Sequence, residues 1–522
     1  MPSAAFSPEC RFLTKRPNKT PGISRRSLLG AGAAAVTSAA AGAAALPASS
    51  IGGWDLTTDV LVAGSGAAGM CAALEAAAAG SRVMVIESLG QAGGSSAMSG
   101  GVIYAGGGTA LQKSHKIEDS VVEMYRFLKD VSGAGVSLPK VQLYCEESVA
   151  HFDWLLQQGV PYGGGFTAAK GLPEGEESLY YSGTELAWPA RDLARPAPRG
   201  HVPGVRGMNG GRKLMEALFA RGEAAGIRVR TRTSGQHLVT ESDGRVVGML
   251  VEDGAGRRQR IRAQRGVVLA CGGFIHNREM LELYAPELAA ASVPWGNAGD
   301  QGQGINMGIS AGAAALRMHE GFAIAPIYPP EHTLAGLVIN QVGQRFVAED
   351  AYHGVLGHHI AYHQSGKAWL ITDQFSTFGY KQDNFPMVAQ ANSVGDLADQ
   401  LRLPRGSLQN TVAYFNRFAA RGEDPLFRKS NAFLRPLQAP PFQAWDLSVD
   451  KAFFPVHTFG GLHTSVDGEV ISSFGEPIPG LYAAGRNTAG LPTAPYIASG
   501  LSLGDATFFG RRAGRAAAGV ST

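Results

Sequence analysis

Three glycines and one acid form the first pattern with chemistry in it. The run Gly64-Ser65-Gly66-Ala67-Ala68-Gly69 is followed, one helix and one strand later, by Glu87. Gly64 permits a tight turn, Gly66 lets the backbone approach a pyrophosphate, and Gly69 lets the next helix sit close to its sheet. Unpaired N–H groups at the start of that helix, around Ala67 and Ala68, then face the phosphate charge. The Glu87 carboxylate is placed to accept hydrogen bonds from an adenosine ribose. This works only if particular elements carry it. Thr58 to Ala63 must be a buried parallel strand, Met70 to about Ala79 a helix, and Arg82 to Ile86 a second strand ending at Glu87.

The fingerprint alone would also suit a nicotinamide cofactor. The next stretch selects FAD. Gln91 to Gly101 brings Gly93, Gly94, Ser95, Ser96, Ser99, Gly100 and Gly101 just beyond the ribose acid. Backbone donors and small hydroxyls there make a close wall for a flavin, where a simple hydride dehydrogenase needs none; a flexible glycine loop is the duller reading. Three later segments return to the same style. Val267 to Phe274 holds Ala270 and Gly272 in a strand and glycine turn, and Ile478 to Arg486 ends in Gly485 and Arg486. Asp300 precedes a helix, where it either contacts flavin or caps that helix.

At 522 residues, two domains are the prior. The arrangement reads as α/β, a Rossmann-type FAD-binding domain of glutathione-reductase kind with an inserted α+β catalytic domain. The proposed boundaries are 1–50 for a leader, 51–323 for the first part of the FAD-binding domain, 324–448 for the catalytic domain and 449–522 for the closing part. Helices are expected at Asp119 to Lys129, Leu138 to Gln158 and Asn410 to Ala420; Tyr180 to Ser182 reads as loop. Gln259 to Arg265 and Val267 to Phe274 read as separate strands.

The leader carries Arg25-Arg26, an alanine-rich run and small residues through Ser50, and resembles a twin-arginine export signal. Beyond it no stretch demands a membrane span. A formal charge of +3 gives no electrostatic reason for nucleic acid. Cys10, Cys71, Cys145 and Cys271 form no CxxC pair, so buried free thiols are favoured over redox chemistry. His353, His358 and His359 lack the HExxH order of a zinc site, and no metal is assigned.

A resemblance adds to this. Tyr104 to Thr109 with Gln112, Gly343-Gln344-Arg345-Phe346 followed by Glu349, Asp350 and Tyr352, and Gly485-Arg486 through Gly510-Arg511 resemble the FAD-dependent fumarate reductase and 3-ketosteroid dehydrogenase superfamily. The likeness runs from Trp54 to Gly514 and is greatest to 3-ketosteroid Δ4-(5α)-dehydrogenases. It implies a C4–C5 double bond introduced into a hydrophobic 3-keto steroid, by proton abstraction and hydride transfer to flavin N5, with an external electron acceptor. Tyr496 and Ser499 match the family's terminal tyrosine and serine, one residue further apart than in its pattern. The other tyrosine matches Tyr352, with Tyr328 as rival. Tyr496 is expected to accept the proton, assisted by Ser499 and Tyr352, although Ser499 also suits a helix N-cap. Backbone N–H groups from Gly500 to Leu503 would polarise the ketone, with Ser502 and Leu503 facing the flavin pyrimidine. One of His457 and His463 would meet the flavin edge, and Glu349 and Asp350 would tether their loop.

The alternatives are a reductase of an activated alkene, a 3-ketosteroid Δ1-dehydrogenase, or a flavin-binding electron carrier. A dicarboxylate reductase needs arginines as clamps. None lies between Arg486 and Arg511, which leaves Arg345 or an arginine from another loop for that task.

Overall fold

The computed structural model describes residues 44–378 and 384–520. Arg25, Arg26 and Cys10 lie outside the described residues. Leu46–Pro47, assigned above to the leader, pairs in parallel with Val239 and Thr240, so the sheet takes in the last residues of that segment.

The largest sheet has nine strands and is built around the strand Arg258–Leu269. Its first half pairs antiparallel with Val246–Asp253. Its second half lies between Leu56–Ala63 and Pro477–Ala483, parallel to both. The sequence reading divided this strand in two. A register shift between Ala263 and Gly266 lets one chain change partners without a loop. On the other side Leu56–Ala63 pairs with Val83–Ile86, which pairs with Arg228–Arg230, all parallel. Parallel strands covered on both faces explain the unbroken apolar runs Val60 to Ala63 and Val267 to Ala270, all buried.

The helix after the first strand is Ala67–Ala78, three residues earlier at its start than periodicity indicated, because Gly66, still extended, is already the N-cap and helical backbone begins at Ala67. The C-terminal helix Leu501–Ala517 packs along it. Small residues set their separation: a β-carbon on Gly510 would stand 2.5 Å from Ala68 O, and one on Gly514 2.1 Å from Ala72 O. This contact brings Ser502 and Leu503 to the same cavity as Gly64 and Gly66.

Two helices, Leu138–Glu146 and Ser148–Gln157, replace the single one expected. Glu147 leaves helical geometry, and the buried Ser148 hydroxyl accepts from Gly106 N at 3.0 Å. Tyr180 ends the strand Glu177–Tyr180 rather than lying in a loop, paired with Gly200–His201. Of the two four-stranded sheets, the one that is antiparallel throughout has the order Leu337–Ile339, Trp369–Thr372, Phe442–Asp446, Met387–Ala391. The helix Ser407–Ala419 buries Leu408, Val412 and Phe415 in the core that this sheet shares.

Candidate active site

The cofactor cradle begins at Gly64, whose φ of +106° suits glycine and whose β-carbon would lie 2.2 Å from Ala270 O. A β-carbon on Gly69 would stand 1.9 Å from Gly64 O, so the helix sits as near as chemistry permits. At Gly66 the nearest atom to such a carbon is Ser96 Oγ at 3.4 Å. That position is open within the protein, as expected where a ligand rather than a neighbour demands glycine. Glu87 Oε2 accepts from Ser65 N at 3.1 Å and Ser65 Oγ at 2.6 Å, and Oε1 accepts from Leu89 N at 3.0 Å.

The wall that selected FAD is joined to this cradle. Gly93 N donates to Ser65 Oγ at 3.1 Å, and Ala67 N to Ser96 Oγ at 3.0 Å. Asp300 Oδ2 accepts from Ser95 Oγ at 2.7 Å and from Arg486 Nη2 at 2.5 Å. Asp300 therefore links the wall to the closing segment. The capping alternative fails, because the helix Gln303–Ser310 starts on Gly302 without a side-chain cap.

A cavity of about 460 Å³ runs from this cradle to the terminal tyrosine. Gly64, Gly66, Ala67, Ala68, Glu87, Gly94, Ser95, Ser96, Ser99, Gly100, Gly101, Ala270, Gly272, Asp300, Gly485, Arg486, Ser502 and Leu503 line it, as do Tyr328, Tyr352, Tyr496 and Ser499. Gly69 and Gly93 shape it from behind.

At its far end the Tyr352 hydroxyl lies 2.6 Å from Ser499 Oγ. The helix N-cap is Gly500, at φ +100°, with no side chain capping, so the Ser499 hydroxyl is not spent there. The Tyr496 hydroxyl accepts from Ser502 N at 3.0 Å. It is thus separate from the Tyr352–Ser499 pair, and the relay expected through all three is not continuous. Phe322 meets the Tyr496 ring edge-on at 5.0 Å, and Phe459 packs at 5.2 Å. Burial pushes the Tyr496 phenol up, against the pull of Ser502 N, and pushes Tyr352 well up. Tyr328 lies in the same cavity, but its ring packs on His353 and its hydroxyl has no part in the Tyr352–Ser499 pair.

Tyr180 and His353 are among the lining residues that the sequence does not single out for the site. Tyr180 is buried in the cavity wall, and His353 lies between Tyr328 and Tyr352, kept neutral by burial, which lowers it to about 3. Neither sits in a recognisable motif; aromatic type alone marked them. His457 lines the cavity and stacks on Phe322 at 4.5 Å, whereas His463 does not line it.

Arg345 is not a substrate clamp. Its guanidinium is bound by Glu349 at 2.7 Å and Asp424 at 2.9 Å, and Lys429 completes the buried group at 2.9 Å from Glu349. Glu349 thereby tethers its loop, as does Asp350, which accepts from Ser430 N at 2.9 Å. Arg486 is the arginine among the lining residues, and Asp300 holds it.

A sequence profile described as FAD binding domain matches residues 59–499. The chain belongs to this FAD-binding family. FAD is its cofactor, and the protein is an oxidoreductase acting on CH–CH bonds. This flavoprotein is 31% identical over 503 residues to the 3-oxo-5-alpha-steroid 4-dehydrogenase of Comamonas testosteroni, covering 83% of this chain and 93% of that one. It resembles the crystal structure of 3-ketosteroid-Δ4-(5α)-dehydrogenase from Rhodococcus jostii RHA1 in complex with 4-androstene-3,17-dione. The TM-score is 0.86 at 40% identity, over 91% of this chain and 99% of that one. The open conformation of a flavocytochrome c3 fumarate reductase matches with a TM-score of 0.64 at 26% identity, covering 90% of this chain and 79% of that one.

Proposed function

We propose that this flavoprotein is a 3-ketosteroid dehydrogenase that introduces the C4–C5 double bond. One observation carries the reading: two separate hydroxyl groupings, Tyr352 with Ser499 and Tyr496 with Ser502 N, stand in one cavity whose lining arginine is already paired. An uncharged ketone fits such a site and a dicarboxylate does not. The steroid relatives at 31% and 40% identity support the same substrate class.

The cradle residues Gly64, Gly66, Gly69 and Glu87, the wall from Gly93 to Gly101, and Ser502 with Leu503 would hold FAD. When bound, FAD supplies the hydride acceptor. The protein must then polarise the ketone and take the proton from the neighbouring carbon. Because the Tyr496 oxygen accepts the Ser502 N–H, its own O–H is left to donate to the ketone oxygen. A well-aimed donor of this kind stabilises developing negative charge by about 3 kcal/mol. We therefore move Tyr496 from proton acceptor to ketone donor, and give the proton to the Tyr352–Ser499 pair. In that pair either hydroxyl serves as donor, so a proton received on one side can be passed on from the other.

We also read 324–448 as the inserted catalytic domain of a glutathione-reductase-like framework, since Tyr352 comes from it and Ser499 from the closing segment. The leader around Arg25-Arg26 is read as an export signal, which a reporter fused to residues 1–50 tests directly.

Product analysis tests the function. Turnover of a 5α-3-keto steroid with an artificial electron acceptor is expected to give the 4-ene. A 1-ene product would replace this reading with the Δ1-dehydrogenase, and no product would reject both.

A further inference from the structure

Ala489 to Ala494, which leads into Tyr496, belongs to no helix or strand, yet it is buried or nearly so. Buried irregular backbone has to find partners that regular structure would otherwise provide. Here every residue of the stretch is held from outside. Lys140 Nζ donates to Ala489 O at 3.4 Å, and Arg317 donates to Gly490 O at 2.6 Å and to Pro492 O at 2.8 Å. Leu491 N donates to Asp505 Oδ1 at 2.7 Å, Gly133 N to Thr493 Oγ1 at 2.9 Å, and Ala494 N to Glu320 Oε2 at 3.2 Å.

Arg317 and Glu320 stand out among these. They form an ion pair of 3.1 Å with side chains only 10% and 9% exposed, and Arg317 takes the left-handed backbone, φ +52°. Desolvating two charges is costly, and a carbonyl clamp is a demanding use of a guanidinium. The same turn continues into Phe322, whose ring meets Tyr496, and Glu320 O accepts from Phe459 N at 3.0 Å, so the second ring against Tyr496 hangs from it too.

We propose that Arg317 and Glu320 are positioning residues for Tyr496, holding Gly490 to Ala494 so that the phenol stays on Ser502 N. The proposal rests on Tyr496 being the group that polarises the ketone. Without the pair, the segment relaxes, the phenol leaves its N–H donor, and substrate still binds while the reaction slows.

The test uses FAD-loaded enzyme labelled with 3-fluorotyrosine, the Tyr496 fluorine resonance being assigned by its loss in Y496F. In R317M and E320A the loss of the Ser502 N–H, which pulls the phenol down, is expected to move this titration further above that of free 3-fluorotyrosine than in the parent. Flavin reduction by a 5α-3-keto steroid should fall about 100-fold while steroid Kd stays within about threefold. R317K and E320Q, which keep part of the clamp, should fall between the parent and R317M or E320A in both, with a titration still displaced from the parent's. An unchanged Tyr496 titration in these variants, or reduction at the parent rate in R317M and E320A, overturns the proposal. If R317M or E320A fails to retain FAD, an unchanged titration in R317K and E320Q overturns it equally. If no steroid reduces the parent enzyme, the steroid reading falls, and the fluorine titration alone decides the role of Arg317 and Glu320.

Discussion

The Tyr352 hydroxyl and Ser499 Oγ are 2.6 Å apart, although one residue precedes the helix His353–His358 and the other precedes the C-terminal helix. Ser499 is held on its other side by Ser182, whose carbonyl accepts Ser499 N at 2.8 Å and whose hydroxyl donates to Ser499 O at 2.9 Å. The pair is therefore assembled from three separate stretches of chain. Y352F and S499A should each slow steroid-driven flavin reduction about 100-fold with FAD retained. Groups acting as one unit are not additive, so Y352F/S499A should be no more than about threefold slower than the worse single variant. Rapid-reaction kinetics of the three variants checks this, and full additivity would separate the two hydroxyls.

The same pair sets a pH dependence. Burial, and then the neighbouring Tyr496, push the Tyr352 phenol well above its ordinary value of 10.0. A raised phenol stays protonated through neutral pH, so the proton-accepting form becomes more populated as pH rises. The rate of flavin reduction should increase with pH into the alkaline range and lose most of that increase in Y352F. A flat profile in the parent enzyme would contradict it.

Gly66 and Gly69 should respond differently to alanine. Gly66 sits at φ −68° with its nearest obstacle at 3.4 Å, so G66A should fold with parent stability and lose FAD. In G69A the added carbon collides with Gly64 O at 1.9 Å, so the turn itself must shift and stability should fall by about 1–3 kcal/mol. Thermal unfolding of the FAD-free proteins, with flavin content measured separately, distinguishes the two effects.

The contrast between these glycines also shows what could be read in advance. Gly69 and Glu87 are legible because their contacts, with Gly64 O and with Ser65, lie within one strand–helix–strand unit, where spacing dictates geometry, whereas Gly64 meets Ala270 of a distant strand. The sequence allows Asp300 two roles because its partners, Ser95 and Arg486, lie 205 and 186 residues away. The part played by Ser502 N depends on the hydroxyl of Tyr496 reaching forward to the first turn of the C-terminal helix, which residue types do not encode. Arg317 carries no motif at all; its role exists only once the closing segment is packed against it.

Arg345 provides the stability prediction. Burial pushes Glu349 and Asp424 up, but Arg345 and Lys429 beside them hold both carboxyls below their ordinary values of 4.5 and 3.8. Carboxylates lowered on folding contribute stability that is fully present above those ordinary values and lost as pH falls through the lower folded ones. R345M leaves two buried carboxylates short of their partner and should cost about 3–5 kcal/mol at neutral pH. The acid-side fall in stability should shrink with it. Denaturant unfolding across pH measures both, and the folded fraction should keep parent steroid reduction, as a residue outside the cavity requires.

The central claim is that the reduced carbon pair oxidised here belongs to an uncharged ring ketone. Anaerobic stopped-flow mixing of the FAD-loaded enzyme with 5α- and 5β-3-keto steroids, beside succinate, tests it most directly, with reoxidation of the reduced enzyme by fumarate as the converse. The account predicts rapid bleaching of the flavin by the 5α steroid and none by succinate. No bleaching by any steroid, together with rapid reoxidation by fumarate, would contradict it.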